Sequence, residues 1–363
     1  MSFVRDILGS LLKGEAQALD GVSAKDAGTV VDGISPMDLE LFSAVAVDAA
    51  AKLQTDIENL RQHGADNLIT SPDLVRYGEQ VGDVFSHWNR PSLLSLVHLA
   101  VDIFDLDKAA DVTSAAYACA ILGEIENPQA FHGNEHYRKV LLLLLSLLYA
   151  HNKHYAGSDL ELDAQELATI IAAACVHDVG HDGKGNGKGS DHVPYRLERG
   201  SYNYVEPYLK HLGIAPEICE RILVLLLCTD VSSPDPGQTL SPVDQMVAQY
   251  GCWFSANQNI NPDLPEELSI LKDDQKLSAM SVLLHTADIA ISAGLSYERL
   301  KEESKLLQEE TGLDIIGTPE GYRLFMRAIG KNILLSEAGR RLYQTSYDTI
   351  MQAIEKDLQE KEL

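Results

Sequence analysis

Cysteine is scarce in this chain, and positive charge is scarcer than negative charge. The five cysteines are odd in number and scattered, with no Cys-x-x-Cys pair, which suits a reducing compartment such as the cytoplasm. The 29 lysines and arginines face 54 aspartates and glutamates, so the formal net charge is −25. This charge repels phosphate backbones, which makes polymeric nucleic acid and anionic membranes poor partners. A small anionic substrate stays compatible, because bound divalent cations reverse the local field of a site.

Long apolar runs are also missing. The longest, at residues 140–150, contains one serine and is typical of a core helix, so we predict no transmembrane segment. Residues 1–13 are amphipathic but lack the basic start and small-residue cleavage site of a signal peptide. We expect this segment to pack on the protein or to self-associate, with a homodimer as one outcome.

Alternating strand patterns and internal repeats are absent from the sequence as well. Apolar residues recur instead at intervals of three and four, as in residues 38–63 and 93–104, which predicts helices. Residues 14–36 are rich in Gly, Ala, Asp and Ser and read as a linker. We therefore predict an all-α protein with an N-terminal helical extension at residues 1–89, for regulation or dimerisation, and a compact multi-helix domain at residues 90–363.

The most informative stretch reads HDVGH at residues 177–181. It follows an apolar, alanine-rich run that predicts a buried helix. If this helix continues, His177 and His181 share one face, with Asp178 beside them. Imidazole nitrogen and carboxylate oxygen together suit zinc, manganese, iron or magnesium. A His-Asp pair alone is more often a helix cap or a satisfied polar contact, so further ligands are required.

A second pair of histidines, His132 and His136, comes just before the core helix. Their spacing of four directs both imidazoles to one side of a helix, where they can share a metal or divide into a ligand and a proton donor. His151 and His154 compete at the other end of the same helix. Cationic side chains there favour the helix dipole and are usually solvated, so we expect the site at the first pair.

Two carboxylates at apolar helices complete the candidates. Asp288 lies three residues after His285 in an otherwise apolar helix, where a charge is costly unless it is paired or bound to metal. Asp230 follows Thr229 at the end of another apolar run. A role in the site and a loop hydrogen bond fit Asp230 equally well.

In chain order these motifs read HxxxH, HDxxHxGxxN, TDxS and HxADI. This order resembles the catalytic domain of class I cyclic-nucleotide phosphodiesterases, within the HD-domain metal phosphohydrolases, from about residue 89 to the C-terminus. The resemblance implies a compact HD-type helical domain that hydrolyses a 3′,5′-cyclic nucleotide, cyclic AMP or cyclic GMP, to the 5′-monophosphate. It also implies two divalent ions, zinc, magnesium, manganese or iron, that activate the attacking hydroxide.

The resemblance further implies a role for each motif residue. The implied metal ligands are His136, His177, Asp178 and Asp288, with Asp178 also bridging to the second ion. The implied catalytic residues are His132 as proton donor to the leaving oxygen, His181 as partner of the metal-bound water, and Glu198 near the second ion. Thr229 and Asp230 are implied close to the second ion, and we expect these two residues and Asn332 either to line the substrate pocket or to support the residues that do.

Two departures from the family pattern concern the substrate. The late-helix glutamine that holds the purine, followed by Gly-Phe, has no counterpart at residues 331–337, where Asn332 is a candidate replacement, as is Gln344. Asp288 is followed by Ile-Ala rather than Leu-Ser-Asn-Pro. Two other functions therefore stay open: an HD-type phosphohydrolase acting on another nucleotide or phosphodiester, and a non-catalytic sensor with a structural metal. The glycine-rich run at residues 183–189 lacks phosphate-loop spacing and is expected to form a rim of the site.

Overall fold

The structure is a computed structural model that describes residues 34–186, 192–232, 234, 240–255 and 262–361. Its regular elements in these ranges are helices, which confirms the predicted all-α class. The predicted amphipathic segment at residues 1–13, most of the predicted linker and the end of the glycine-rich run lie outside the described residues.

Fourteen α-helices lie in the described ranges. The first seven are α1 (Pro36–Gln62), α2 (Ala65–Thr70), α3 (Tyr77–Ser86), α4 (Leu93–Phe104), α5 (Ala110–Gly123), α6 (Asn134–Tyr155) and α7 (Ala164–Val176). The other seven are α8 (Arg196–His211), α9 (Pro216–Leu227), α10 (Pro242–Phe254), α11 (Gln275–Ala293), α12 (Tyr297–Thr311), α13 (Pro319–Ala328) and α14 (Glu337–Lys361). Short 3₁₀ helices occupy Leu106–Ala109, Glu266–Lys272, Asp314–Gly317 and Gly330–Leu334.

The N-terminal helix α1 is tied to the rest of the protein by a buried carboxylate. Asp56 accepts hydrogen bonds from the Ser92 backbone N–H at 2.9 Å and from the Ser95 hydroxyl at 3.2 Å, at the start of α4. One hydrophobic core runs from Ile34 to Leu358, through α1 and the later helices. The predicted boundary between residues 89 and 90 stays a prediction.

The centre of the protein is built from α6, α7 and α11. Helix α7 begins with a capping box, in which Asp163 accepts the Glu166 N–H and Glu166 accepts the Asp163 N–H. Its far end lies close to the end of α5, because a Cβ atom on Gly123 would sit only 2.2 Å from the Cys175 carbonyl oxygen. Glycine at this position therefore allows the close approach that fixes the end of α7, where the HDVGH stretch begins.

Among the described residues, no single helix is both long enough and apolar enough to cross a bilayer. Helices α11 and α12 reach that length only together, and they meet at a bend of 99°.

Candidate metal centre

The HDVGH stretch leaves helix geometry at its first residue. Helix α7 ends at Val176, and His177 follows as its C-cap. Gly180 has a φ of +78°, in the left-handed region that favours glycine, and the His181 N–H donates to the Asp178 carbonyl at 3.0 Å. The helix does not continue to His181, so the condition for a helical face shared by His177 and His181 is not met, and a tight turn separates the two residues.

The same correction applies to the first histidine pair. Helix α6 begins at Asn134, so His136 lies in its first turn whereas His132 lies in the preceding loop. The two rings are 6.0 Å apart and nearly perpendicular, so they do not point the same way. His136 thus turns toward one cluster of side chains and His132 toward another.

Four side chains meet at the first cluster, which we call the ligand cluster: His136, His177, Asp178 and Asp288. They come from α6, the end of α7 and α11. The His136 Nε2 atom lies 3.0 Å from Asp288 Oδ1 and 3.6 Å from Asp178 Oδ2. The His177 Nε2 atom lies 3.3 Å from Asp178 Oδ2 and 3.7 Å from Asp288 Oδ1. One candidate ligand atom from each residue falls within 4.8 Å of the others.

The His177 side chain shows why this cluster suits a cation. Its Nδ1–H donates to the Ala174 carbonyl at 2.8 Å, which directs the lone pair of Nε2 toward the two carboxylates. The Nε2 atom is buried and has no hydrogen-bond partner in the described residues. Burial lowers the pKa of His177, but the carboxylates of Asp178 and Asp288 outweigh burial and hold that pKa well above its usual value.

In the ligand cluster, the pKa of a carboxylate is shifted in the direction opposite to that of His177. Burial raises the pKa of Asp288, but the imidazoles of His136 and His177 outweigh it and hold that pKa well below its usual value. Two imidazole nitrogens and two carboxylate oxygens form a mixed donor set that fits zinc, manganese or iron. These four buried or half-buried side chains can therefore hold a metal ion.

The second cluster, which we call the relay, consists of His132, His181 and Glu310. His132 Nδ1 lies 2.5 Å from Glu310 Oε1, while Glu310 Oε2 accepts the backbone N–H groups of His132 and Phe131 at 3.1 and 2.9 Å. Burial lowers the pKa of His132, but its hydrogen bond to Glu310 and the charges of Asp178, Glu310 and Asp288 together outweigh burial, so the pKa is raised. The same contact holds the pKa of Glu310 down at about 2, although burial alone would raise it.

His181 stacks on His132 but has the opposite charge preference. The ring centroids are 3.7 Å apart, and the planes differ by 24°. His181 Nδ1 accepts the Gly183 N–H at 3.1 Å, so the neutral ring carries its proton on Nε2. Burial lowers the pKa of His181, and the nearby His132 lowers it further. The stack therefore pairs one imidazole that favours a charge with one that favours neutrality.

Glu198, Thr229 and Asp230 line one cleft together with the relay. Glu198 is buried and accepts a hydrogen bond from the Asn186 amide at 3.0 Å; burial, with the charge of Asp230, raises its pKa to about 8. Asp230 accepts the backbone N–H groups of Tyr195 and Ser232, so its loop hydrogen bonds are present. It also lines the cleft, so the two interpretations of Asp230 are compatible.

Asn332 does not join the described lining of this cleft. It is buried, and its amide lies 3.3 Å from Nε2 of His285, behind Asp288 on α11. Gln344 is exposed and donates to Asp348. Neither side chain is among the described cleft residues, where a replacement for the purine-binding glutamine would lie, and a supporting role of Asn332 behind the site stays a prediction. His151, expected to be solvated, is buried and donates to the Leu160 carbonyl.

Two residues that position the site were missed in the sequence. Glu310 belongs to a run of polar residues at the end of α12, where the pattern indicates only a solvated face. The Tyr137 hydroxyl lies 2.7 Å from the Asp178 carbonyl and 3.0 Å from the His132 carbonyl, so it holds the backbone of both clusters. Tyr137 belongs to the apolar, buried helix α6, so its place in the sequence indicates only a core residue.

Both clusters open into one cleft of about 660 Å³. This volume is in the range of sites for nucleotide-sized ligands. The described lining includes Asp178, Asp288, His132, His181, Glu198 and Glu310. Carboxylates that can hold a cation and an imidazole that favours a proton therefore face the same space.

No protein-family model matches this chain, and no curated protein gives a significant match to it.

Proposed function

We propose that this protein is a metal-dependent phosphodiesterase of the HD type, which hydrolyses a 3′,5′-cyclic nucleotide to the 5′-monophosphate. The observation that carries the proposal is the convergence of the ligand cluster and the relay on one cleft. The motifs that suggest the family are far apart in the sequence, with 156 positions from His132 to Asp288. Their site residues nevertheless line one cleft or contact each other beside it.

The ligand cluster would hold the first divalent ion through His136, His177, Asp178 and Asp288. Asp178 also faces the cleft, where Glu198 and Asp230 add further carboxyl oxygens, and these residues would hold a second ion. Bound divalent ions would supply Lewis acidity and neutralise charge on the phosphoryl oxygens. The chain itself contributes the carboxylates that would hold these ions, and these carboxylates line the same cleft as the relay.

His132 would act as the general acid toward the leaving ribose oxygen. Glu310 binds Nδ1 of this ring and the backbone N–H groups of Phe131 and His132, so one carboxylate fixes both the ring and the backbone that carries it. A raised pKa keeps the imidazolium populated near neutral pH, which a proton donor needs. His181, stacked against it with a lowered pKa, would stay neutral and donate a hydrogen bond from Nε2–H, because its Nδ1 accepts the Gly183 N–H.

A broader alternative keeps the same centre and changes the substrate. The specific observation in its favour is that neither Asn332 nor Gln344 replaces the purine-binding glutamine in the cleft. An HD-type phosphohydrolase acting on another phosphoester would use the same ligand cluster and relay. A metal-bound sensor would need the cluster but not the proton-donating His132.

The deciding experiment is hydrolysis of a substrate panel by the full chain. The panel contains cyclic AMP, cyclic GMP, a cyclic dinucleotide, nucleoside monophosphates and an aryl phosphodiester, each with manganese, magnesium or zinc and with a chelator control. Chelator-sensitive cleavage of a cyclic mononucleotide supports the proposal. Cleavage of only the other substrates favours the broader phosphohydrolase, and metal binding without any cleavage favours the sensor.

A further inference from the structure

The described part of the glycine-rich run, residues 183–186, lines the cleft and brings one basic side chain to it, that of Lys184. Lys184 is the one lysine or arginine in the described lining. Five carboxyl groups line the same cleft, those of Asp178, Glu198, Asp230, Asp288 and Glu310. A ligand with a phosphate group therefore meets a single ammonium group of the chain at this cleft.

The ammonium group of Lys184 is exposed and has no partner among the described residues. The carboxylate nearest to it in the sequence, Asp182, is bound by Arg196, whose N–H groups donate to its two oxygens at 2.9 and 3.1 Å. Lys184 itself contacts Asp182 only through its backbone N–H, at 2.9 Å. An exposed lysine is usually solvated. One that lines a cleft with five carboxyl groups and pairs with none of them is free to bind an anion.

The backbone on both sides of Lys184 is held by hydrogen bonds. The Gly183 N–H donates to His181 Nδ1 at 3.1 Å, and Arg196 donates to the Gly185 carbonyl as well as to Asp182. Gly183 and Gly185 have φ values of +75° and +66°, in the left-handed region that favours glycine. These contacts fix the Lys184 backbone beside the relay, so only the rotatable bonds of its side chain need to be ordered when an anion binds.

We propose that Lys184 is a substrate-binding residue, whose ammonium group donates a hydrogen bond to an oxygen of the substrate phosphate. This inference rests on the proposed function, because it adds a residue to the same substrate site. Lysine binds phosphate as a compact point charge, and a net charge of −25 otherwise repels an anionic ligand. The phosphate is charged in both the substrate and the transition state, so Lys184 should contribute to binding rather than to the chemical step.

The test is calorimetric binding of AMP and of ribose 5-phosphate to the full chain with manganese at a fixed concentration. Lys184→Gln should weaken both ligands by the same factor, about five- to tenfold, because they share the phosphate. Lys184→Arg should keep most of the affinity, and added salt should narrow the difference between Lys184→Gln and the wild type. Lys305→Gln is the matched control, because Lys305 is an exposed lysine on α12 and is not among the described cleft residues.

Several results would overturn the inference. These are unchanged binding in Lys184→Gln, a loss confined to AMP, an equal loss in Lys305→Gln, loss of manganese from Lys184→Gln, and no binding of either ligand to the wild type.

Hydrolysis of cyclic AMP and cyclic GMP is measured on the same samples. In Lys184→Gln, KM should rise about five- to tenfold while kcat stays unchanged. Hydrolysis with an unchanged KM in this variant rejects the role of Lys184 alone. The expected loss of phosphate affinity without hydrolysis of either cyclic nucleotide by the wild type rejects the proposed function alone.

Discussion

The ligand cluster and the relay use the same residue types and balance their charges in opposite ways. In the ligand cluster, the buried His177 Nε2 faces two carboxylates and has no hydrogen-bond partner in the described residues. In the relay, one carboxylate, Glu310, is matched by one imidazole and two backbone N–H groups. Buried charges need compensation, so the first cluster favours an added cation and the second favours a retained proton.

The difference arises from where each histidine stands relative to its helix. His136 and His177 belong to the first turn of α6 and the end of α7, so their rings are directed by rigid core helices. His132 and His181 lie in the loops next to them and turn toward the end of α12. Residue type alone does not separate ligand from proton donor here, whereas the contacts around each ring do.

The largest effect is expected from removing one charge of the ligand cluster. Asp178→Asn keeps the side-chain shape but removes the carboxylate that lies near both imidazoles. Metal content should fall to background, and kcat/KM should drop by roughly a thousandfold or more, because ligand and charge are lost together. Mass spectrometry of bound metal and steady-state kinetics measure both.

Asp182→Asn is the matched control for that variant. Asp182 lies in the same loop but is exposed and pairs with Arg196. Its replacement should leave metal content unchanged. Full activity in Asp178→Asn would show that the cluster is not the metal centre of the reaction.

The next largest effect should separate the relay from the ligand cluster. His132→Asn removes the proposed proton donor and should lower kcat by about a hundredfold or more, with metal content unchanged. His211→Asn, an exposed histidine at the end of α8, serves as control for the loss of an imidazole. Metal loss in His132→Asn would make this histidine a ligand and would erase the distinction between the two clusters.

How well the sequence predicts this site depends on how far apart in the sequence the contacting residues lie. The ligands and the bounds of α4 follow from local patterns: apolar periodicity for the helix, and histidine or aspartate at the ends of apolar runs for the ligands. The contact between His132 and Glu310 joins residues 178 apart and depends on how α12 packs. No local pattern carries that information, which is why Glu310 was missed and the contact of Asn332 with His285 was not predicted.

The buried His151 shows what happens to an imidazole that has no carboxylate beside it. His151 donates to the Leu160 carbonyl, and burial lowers its pKa to about 4, opposite to the shift of His177. Its neutral form is therefore stabilised in the folded state. Stability from this residue is complete above pH 6.5 and is lost as the pH falls from 6.5 toward 4, because the unfolded chain takes up the proton first.

Between pH 7.5 and 5.0, this linkage should remove about 2 kcal/mol of unfolding free energy. His151→Gln keeps a donor for the Leu160 carbonyl but cannot be protonated. Between pH 7.5 and 5.0, the unfolding free energy of this variant should therefore fall by about 2 kcal/mol less than that of the wild type. Urea unfolding at both pH values, with the metal concentration fixed, measures the difference. His154→Gln, at an exposed position, should behave like wild type, and equal losses in all three proteins would refute the assignment.

The smallest effect tests how the relay is tuned. Glu310→Gln removes the carboxylate that raises the pKa of His132, so the imidazolium loses its proton at a lower pH. Because the proposed acid works only when protonated, the alkaline limb of the kcat profile should move to lower pH. At neutral pH, kcat should fall about tenfold, with metal content unchanged.

Glu309→Gln changes the exposed neighbouring carboxylate and should leave the profile in place. An unmoved limb in Glu310→Gln, together with lost metal, would place Glu310 in the ligand cluster and reduce the two clusters to one.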